Sequence, residues 1–169
     1  MNHPARSKAR SAARLAAVQA LYQQHMEGTA LVRLLDEFHQ HRLGRTIDED
    51  AFDGAEYADA EVPFFDDVVR GVDARKDEID ALVASKLASG WSLARLDRAM
   101  LQVLRAGTYE LLARADVPAA VVINEYVEVA KAFFDDGQAK FVNGILDAVA
   151  KEARAGSTWP RHHERDRIR

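Results

Sequence analysis

The stretch VPAAVVINEYVEVAKAFF, residues 117–134, decides the fold class. Its first half, VPAAVVIN at 117–124, has the continuous apolar run of a buried strand. Its continuation, NEYVEVAKAFF, keeps the three-and-four spacing of a helix face, so the segment reads as one helix over about 120–134. Pro118 marks its start, because the residue before a proline avoids helical angles. Nowhere else does an alternating pattern bounded by hairpin turns occur, and the chain reads as all-α.

Working outward, Asp135, Asp136 and Gly137 make a turn. A last helix follows over about 138–153, with Phe141, Ile145, Leu146 and Val149 inward. Upstream, a helix ends near residue 115; Ser92 or Asp97 caps it, and Leu96, Met100, Val103, Leu104 and Leu111 mark its core face. The third helix is expected from Pro63, placed in its first turn, to about residue 89, with Gly71 softening its middle and Gly90 breaking it. Residues 45–62, RTIDEDAFDGAEYADAEV, read as a solvated acidic loop. A second helix fits 30–42, with Leu31, Leu34, Leu35 and Phe38 buried and Gly44 ending it. The first fits 7–26, stopped by Gly28, with Leu15, Val18, Tyr22 and Met26 as its apolar stripe. Residues 154–169 hold five arginines, two acids and few apolar residues, the composition of a disordered tail.

Composition closes several function classes. Among the 169 residues there is no cysteine, which removes disulfides and Cys-ligated metals and fits a cytoplasmic location. No stretch has the apolar length of a membrane span, and the N-terminus lacks the apolar core of a signal peptide. His39 and His41 are two apart, so they point to different sides of a helix; His162 and His163 sit in the tail. No metal site, cofactor loop or arranged nucleophile is expected, and no catalytic residue is assigned. Asn124, Glu125, Tyr109 and Glu110 read as helix-tying groups.

The formal net charge is −4, which disfavours nucleic acid until its distribution is read. Arg6, Lys8, Arg10 and Arg14 precede the first acid, Glu27, while residues 46–80 hold thirteen acids and three bases. One basic end on an acidic protein suits a phosphate ligand. Arg6, Arg10 and Arg14 stand at i, i+4 and i+8, a stripe expected to face a nucleic-acid backbone through forked bonds to phosphate. Gln19 is placed to read a base edge. Tyr22 is expected with its ring buried and its hydroxyl at a rim.

An ordered set of motifs then narrows the class. ARSAARLAAVQALYQ at 9–23, Trp91 with the segment 93–96, LRAGTYELL at 104–112, VPAAVVINEYVEVAKAFF at 117–134 and KFVNGILD at 140–147 together resemble the NusB family, over about residues 6–152. The chain departs from that pattern at Phe134, where the family often has Gly, and at Tyr126, which replaces an Ala. The stretch between Asp97 and Leu104 looks one turn longer, and the acidic 45–62 segment has no assigned counterpart. The resemblance implies two packed helical bundles of six to seven helices, one over about 1–89 and one over 90–153, forming a single domain over 1–153. It implies binding of the boxA single-stranded RNA of ribosomal leader transcripts together with NusE, a protein that also serves in the small ribosomal subunit. Through that pair it implies entry into an RNA polymerase antitermination complex. It places Phe141 near the RNA with Lys140 beside it on phosphate, Asn143 holding a turn or touching a base, and Lys131 as a further contact. Unpaired RNA needs cations for its backbone and flat side chains for its bases. Two other functions remain open on sequence: a structural helical adaptor or homodimer, and the RNA-binding module of a ribosomal RNA methyltransferase.

Overall fold

The structure, a computed structural model, describes residues 3–40 and 54–155, with side chains over 8–40 and 62–155. Among these residues there are seven α-helices and no strand: α1 (His3–Glu27), α2 (Leu31–Phe38), α3 (Gly54–Ala74), α4 (Lys76–Ser85), α5 (Arg98–Ala113), α6 (Ala119–Phe133) and α7 (Asp136–Ala153). A single 3-10 turn, Leu93–Arg95, leads into α5. Gly44, His41 and the residues 45–53 and 156–169 lie outside the described residues.

Helix α5 is the axis. Every residue from Met100 to Leu111 is buried, and α1, α3, α4, α6 and α7 all pack against it. Its start is fixed by Asp97, whose carboxylate accepts from the backbone N–H of Ala99 (2.8 Å) and Met100 (3.2 Å), satisfying two donors that the first helical turn leaves unpaired. Helix α7 begins with a capping box: Asp135 accepts from the Gln138 N–H, and the Gln138 side chain returns to the Asp135 N–H. One continuous apolar core, from Ala13 to Ala150, runs through both halves. Each large aliphatic or aromatic side chain sealed in it contributes about 1.5–3 kcal/mol.

The ambiguous stretch at 117–134 is helical, with Pro118 at the N-cap of α6 and Val122, Ile123, Tyr126, Val129 and Ala130 turned inward. Four other expectations need correction. The segment expected as a loop is helical from Gly54 onward, so Pro63 stands inside α3 rather than in its first turn. The long third helix is two, parted at Arg75 (φ −115°, ψ 24°), and the second ends at Ser85. Gly71 does not soften the helix; it makes room, because a Cβ there would lie 2.1 Å from the Tyr109 ring. Arg154 is not part of a loose tail. Its guanidinium donates to the carbonyl oxygens of Leu111 (3.0 Å), Val117 (2.7 Å), Arg114 (3.1 Å) and Glu110 (3.3 Å), closing the end of α5.

The first helix holds the largest surprise. Its core face is Ala9, Ala13, Ala17, Ala20 and Leu21 with Val18, while Tyr22 and Met26 are exposed and Leu15 is half-buried. Alanines let α1 lie close against α3, its most extensive neighbour. At 100° per residue, positions 10, 14, 17 and 21 share one face. The arginine stripe and the alanine stripe are therefore the same face of α1.

Candidate nucleic-acid interface

Arg14 follows from that geometry. It is 3% exposed, and its Nε (2.8 Å) and Nη2 (3.0 Å) fork onto the two carboxylate oxygens of Glu110, which is fully buried on α5. Its Nη1 donates to Glu125 of α6 at 2.6 Å, an oxygen that also accepts from Ser11 at 2.5 Å. The Tyr126 hydroxyl donates to Glu110 as well. Burial draws the Arg14 guanidinium down, but the bonds and charge of Glu110, with Tyr126 and Glu125, outweigh it and hold its pKa above the ordinary value. Burial first, then Glu110, pushes the Tyr126 phenol well above its own. Arg14 is thus a helix-joining residue, and its expected place on a solvent-facing phosphate stripe is corrected.

Arg10 is half-buried, its guanidinium 4.7 Å from the Phe64 ring centroid, with Arg14 (4.8 Å) and Arg114 (5.0 Å) around the same ring. The Arg6 side chain falls outside the described residues. The helix-tying groups stand as expected in three cases: Glu110 and Glu125 in the Arg14 network, and Tyr109, whose hydroxyl donates to Asp67 at 2.7 Å.

The remaining candidates gather elsewhere. Gln19 and Tyr22 line a groove with Met26, Arg98, Phe133 and Phe134. Tyr22 is 40% exposed, which corrects its expected burial: the core face of α1 lies on the alanine side, and Tyr22 projects past its edge. Phe141 lines a second groove with Trp91, Arg95, Leu96, Met100 and Gln138. Phe141 is 37% exposed, not inward; Ile145, Leu146 and Val149 are buried as expected, with Ala139, Val142 and Ala150 beside them on α7. Asp97 borders both grooves, so they adjoin at the N-terminus of α5. Lys140 and Asn143 are exposed beside Phe141, and Lys131 is exposed on α6, loosely paired with Glu128 at 3.5 Å. The structure therefore brings Gln19 and Tyr22 into a groove next to that of Phe141, and leaves Arg10 with Phe64 toward the other end of α1. Trp91, Arg95, Phe133 and Arg98 went unassigned in the sequence reading. The signal available for Trp91 was its place just after Gly90, outside any helix.

Among the described residues no cluster of His, Asp or Glu could hold a metal ion, and no helix is long and apolar enough to cross a membrane. His39 lies 2.5 Å from a carboxylate oxygen of Asp66, a helix-to-helix contact.

An all-helical body with a central buried helix, a sealed ion network and two adjoining grooves walled by exposed aromatic rings and cations defines a macromolecule-binding module. The chain belongs to the NusB family of transcription antitermination proteins: the family's profile matches residues 11–151. It is 67% identical over 147 residues to the transcription antitermination protein NusB of Novosphingobium aromaticivorans, covering 87% of this chain and 96% of that protein. Among solved structures it resembles the T. maritima NusB at 35% identity, TM-score 0.66, over 85% of this chain and 91% of that one. It also resembles a chain in the crystal structure of the antitermination factors NusB and NusE in complex with dsRNA. That match has 26% identity and a TM-score of 0.66, over 86% of this chain and 98% of the other. Antitermination is a regulatory activity and not a catalysed reaction.

Proposed function

We propose that this protein binds the boxA segment of ribosomal RNA leader transcripts as an unpaired strand, does so together with NusE, and enters the RNA polymerase antitermination complex in the bacterial cytoplasm. The observation that carries the reading is the pair of adjoining grooves meeting at Asp97, which collects exposed rings and cations on one face. The likeness to a NusB crystallised with NusE and dsRNA supports RNA and NusE as partners. Lys140 and Lys131 contact phosphates, Phe141 and Tyr22 offer stacking surfaces, and Gln19 and Asn143 reach base edges. Arg6 and Arg10 stay as further candidate phosphate contacts toward the start of α1, away from the grooves. Arg14 is withdrawn from the contact set because Glu110 and Glu125 occupy it.

The test is a titration of boxA RNA, a scrambled strand and a boxA duplex, with and without NusE, across a salt series. Affinity is expected to fall steeply with salt, and Lys140→Ala to weaken every sequence alike while lowering the salt slope by about 1. Equal affinity for boxA and scrambled strands in the presence of NusE sinks the proposal.

A further inference from the structure

Outside both grooves, the last turn of α1 approaches the start of α4 and one face of α5. Gln24 of α1 donates to Asp73 at the end of α3 at 3.0 Å, which fixes this approach. On α5, Arg98, Gln102 and Arg105 stand at i, i+4 and i+7 and share a helix face. On α4, Lys76 and Asp80 are about one turn apart. Asp80 is fully engaged, because Nε and Nη2 of Arg105 fork onto its two oxygens at 2.8 Å each.

The rest of the corner is cationic. Lys76 is half-buried and Arg98 exposed, and among the described residues no acid pairs with either. His25, in the last turn of α1, has Arg98 and Arg105 facing it from α5, and Lys76 and Asp80 from α4. Burial, then Arg105, Arg98 and Lys76, hold its imidazole below the ordinary pKa of 6.5, against a weaker upward pull from Asp80. The other acids of this corner are turned to other work: Gln24 takes Asp73, and Arg75 takes Glu78 at 2.8 Å. Asp77 stands about 100° around α4 from Lys76. Beneath the cations lies Gln102, 1% exposed. Its Oε1 accepts from Arg105 at 3.5 Å, but its Nε2 has no partner. Folded proteins keep few sealed donors without an acceptor, and one set under unpaired cations marks a place for an anion.

We propose that this junction is an anion site for a compact dianion of the phosphomonoester class. Lys76 and Arg98 supply the charge, Gln102 an N–H at the floor, and His25 a donor that gains a proton when the site fills. Lys76 and Arg98 together balance a dianion, whereas a phosphodiester link of an RNA backbone carries one charge and leaves one cation over. The start of α4, which has no side-chain cap at Arg75, adds partial positive charge. Lys76 and Gln102 line neither groove, so the site is distinct from the RNA surface proposed above; Arg98 alone is shared with it.

The test uses the full chain at constant ionic strength. The probes are sulfate, inorganic phosphate, a nucleoside monophosphate, and a dinucleotide whose single phosphate is a diester. The His25 ring protons, followed by NMR, report occupancy. Sulfate, which stays dianionic throughout, should give a saturable shift and raise the His25 pKa. By linkage its affinity should then increase as pH falls through the range around 6.5. Lys76→Gln is expected to weaken sulfate and the monoester roughly 10- to 150-fold, the range for deleting a charged hydrogen-bond partner, and to leave boxA affinity with NusE unchanged. Gln102→Leu should weaken both anions while its urea midpoint stays level or rises, an outcome that a merely structural glutamine does not give. If that variant fails to fold, Lys76→Gln at the rim decides alone. A His25 shift that never saturates, or that persists in Lys76→Gln, overturns the proposal. So does a diester that binds as tightly as the monoester, or a loss of boxA affinity in Lys76→Gln, because either assigns these cations to the RNA backbone. Failure of boxA binding by the wild type bears on the RNA reading and leaves this site standing.

Discussion

Replacing Arg14 by alanine should unfold this protein well before it disturbs RNA binding. Glu110 is fully buried and accepts three hydrogen bonds, two from Arg14 and one from Tyr126. Deleting the arginine leaves a carboxylate sealed in the core without its counter-charge, and breaking one side of a buried pair costs about 3–5 kcal/mol. For a chain of this length each kcal/mol moves the melting temperature by about 2–4 °C, so Arg14→Ala should melt roughly 6–20 °C lower. Urea unfolding followed by circular dichroism measures the free energy directly, and the slope should stay unchanged. The double variant Arg14→Met, Glu110→Leu removes both charges and fills their volume, so it should recover a large part of the loss. Recovery stays partial, because the buried Tyr126 hydroxyl loses Glu110, at about 1–3 kcal/mol for a buried polar group left unpaired, while Glu125 keeps Ser11. The reasoning is refuted if Arg14→Ala unfolds at the wild-type midpoint and instead binds RNA with a smaller salt slope, since that outcome belongs to an arginine on phosphate.

Three further predictions follow from close contacts and open space. Gly71→Ala places a methyl group 2.1 Å from the Tyr109 ring and should destabilise by about 1–3 kcal/mol; the penalty should shrink in a Tyr109→Ala background, and full additivity in a double-mutant cycle would contradict the contact. Gly144→Ala meets nothing within 4 Å in the middle of α7 and should raise stability by about 0.5–1 kcal/mol, read as a higher urea midpoint; a lower midpoint would show a constraint the fold does not display. Burial and the hydrogen bond to Asp67 push the Tyr109 phenol from 10.0 up to about 12. A raised folded-state pKa means its stabilisation is complete below pH 10.0 and is lost as pH climbs toward about 12. Urea midpoints of wild type and Tyr109→Phe should therefore converge over that window, and parallel decline in both would exclude the assignment.

The helical architecture was legible because most helices bury large residues at helical spacing. In α5 and α6 the marked positions Met100, Val103, Leu104, Leu111 and the 117–134 stretch suffice. The reading failed where size and burial part company. On α1 the inward face is alanine, which carries little hydrophobic signal, so the eye follows Tyr22 and Met26 to the wrong side. The same error turned the Arg10 and Arg14 positions outward, since they lie on the alanine face. The buried ion pair was half legible for a related reason. Glu110 reads as a helix-tying group, but its partner Arg14 looks like a surface residue until α1 and α5 are brought together across 96 positions of sequence. Gly71 was read as a helix weakness because its reason, the Tyr109 ring, belongs to another helix. The aromatic site was half visible: Phe141 stood in a recognisable motif, while Trp91 gains its meaning only from the groove that Phe141 closes.

These placements shift where attraction for RNA must arise. The three guanidiniums around Phe64 carry three positive charges, and Glu110, Glu125 and Asp67 sit in direct contact with Arg14 and Arg114. That cluster is close to neutral, and its arginine at position 14 is out of reach of any ligand. Cations effective against phosphate must instead be exposed, as Lys140, Arg98 and Arg95 are around Asp97. Lys131 counts among them too, because an exposed pair such as that with Glu128 holds its charge only weakly. The Arg14 network and the grooves are nevertheless linked through helix register. Arg14 meets Glu125, and eight residues further along each helix Tyr22 lines a groove with Phe133, about 12 Å away at 1.5 Å per residue. The ion pair joins α1 to α6 about two helical turns from that groove. An arginine that never touches RNA can thus govern its binding, but only by way of the folded population.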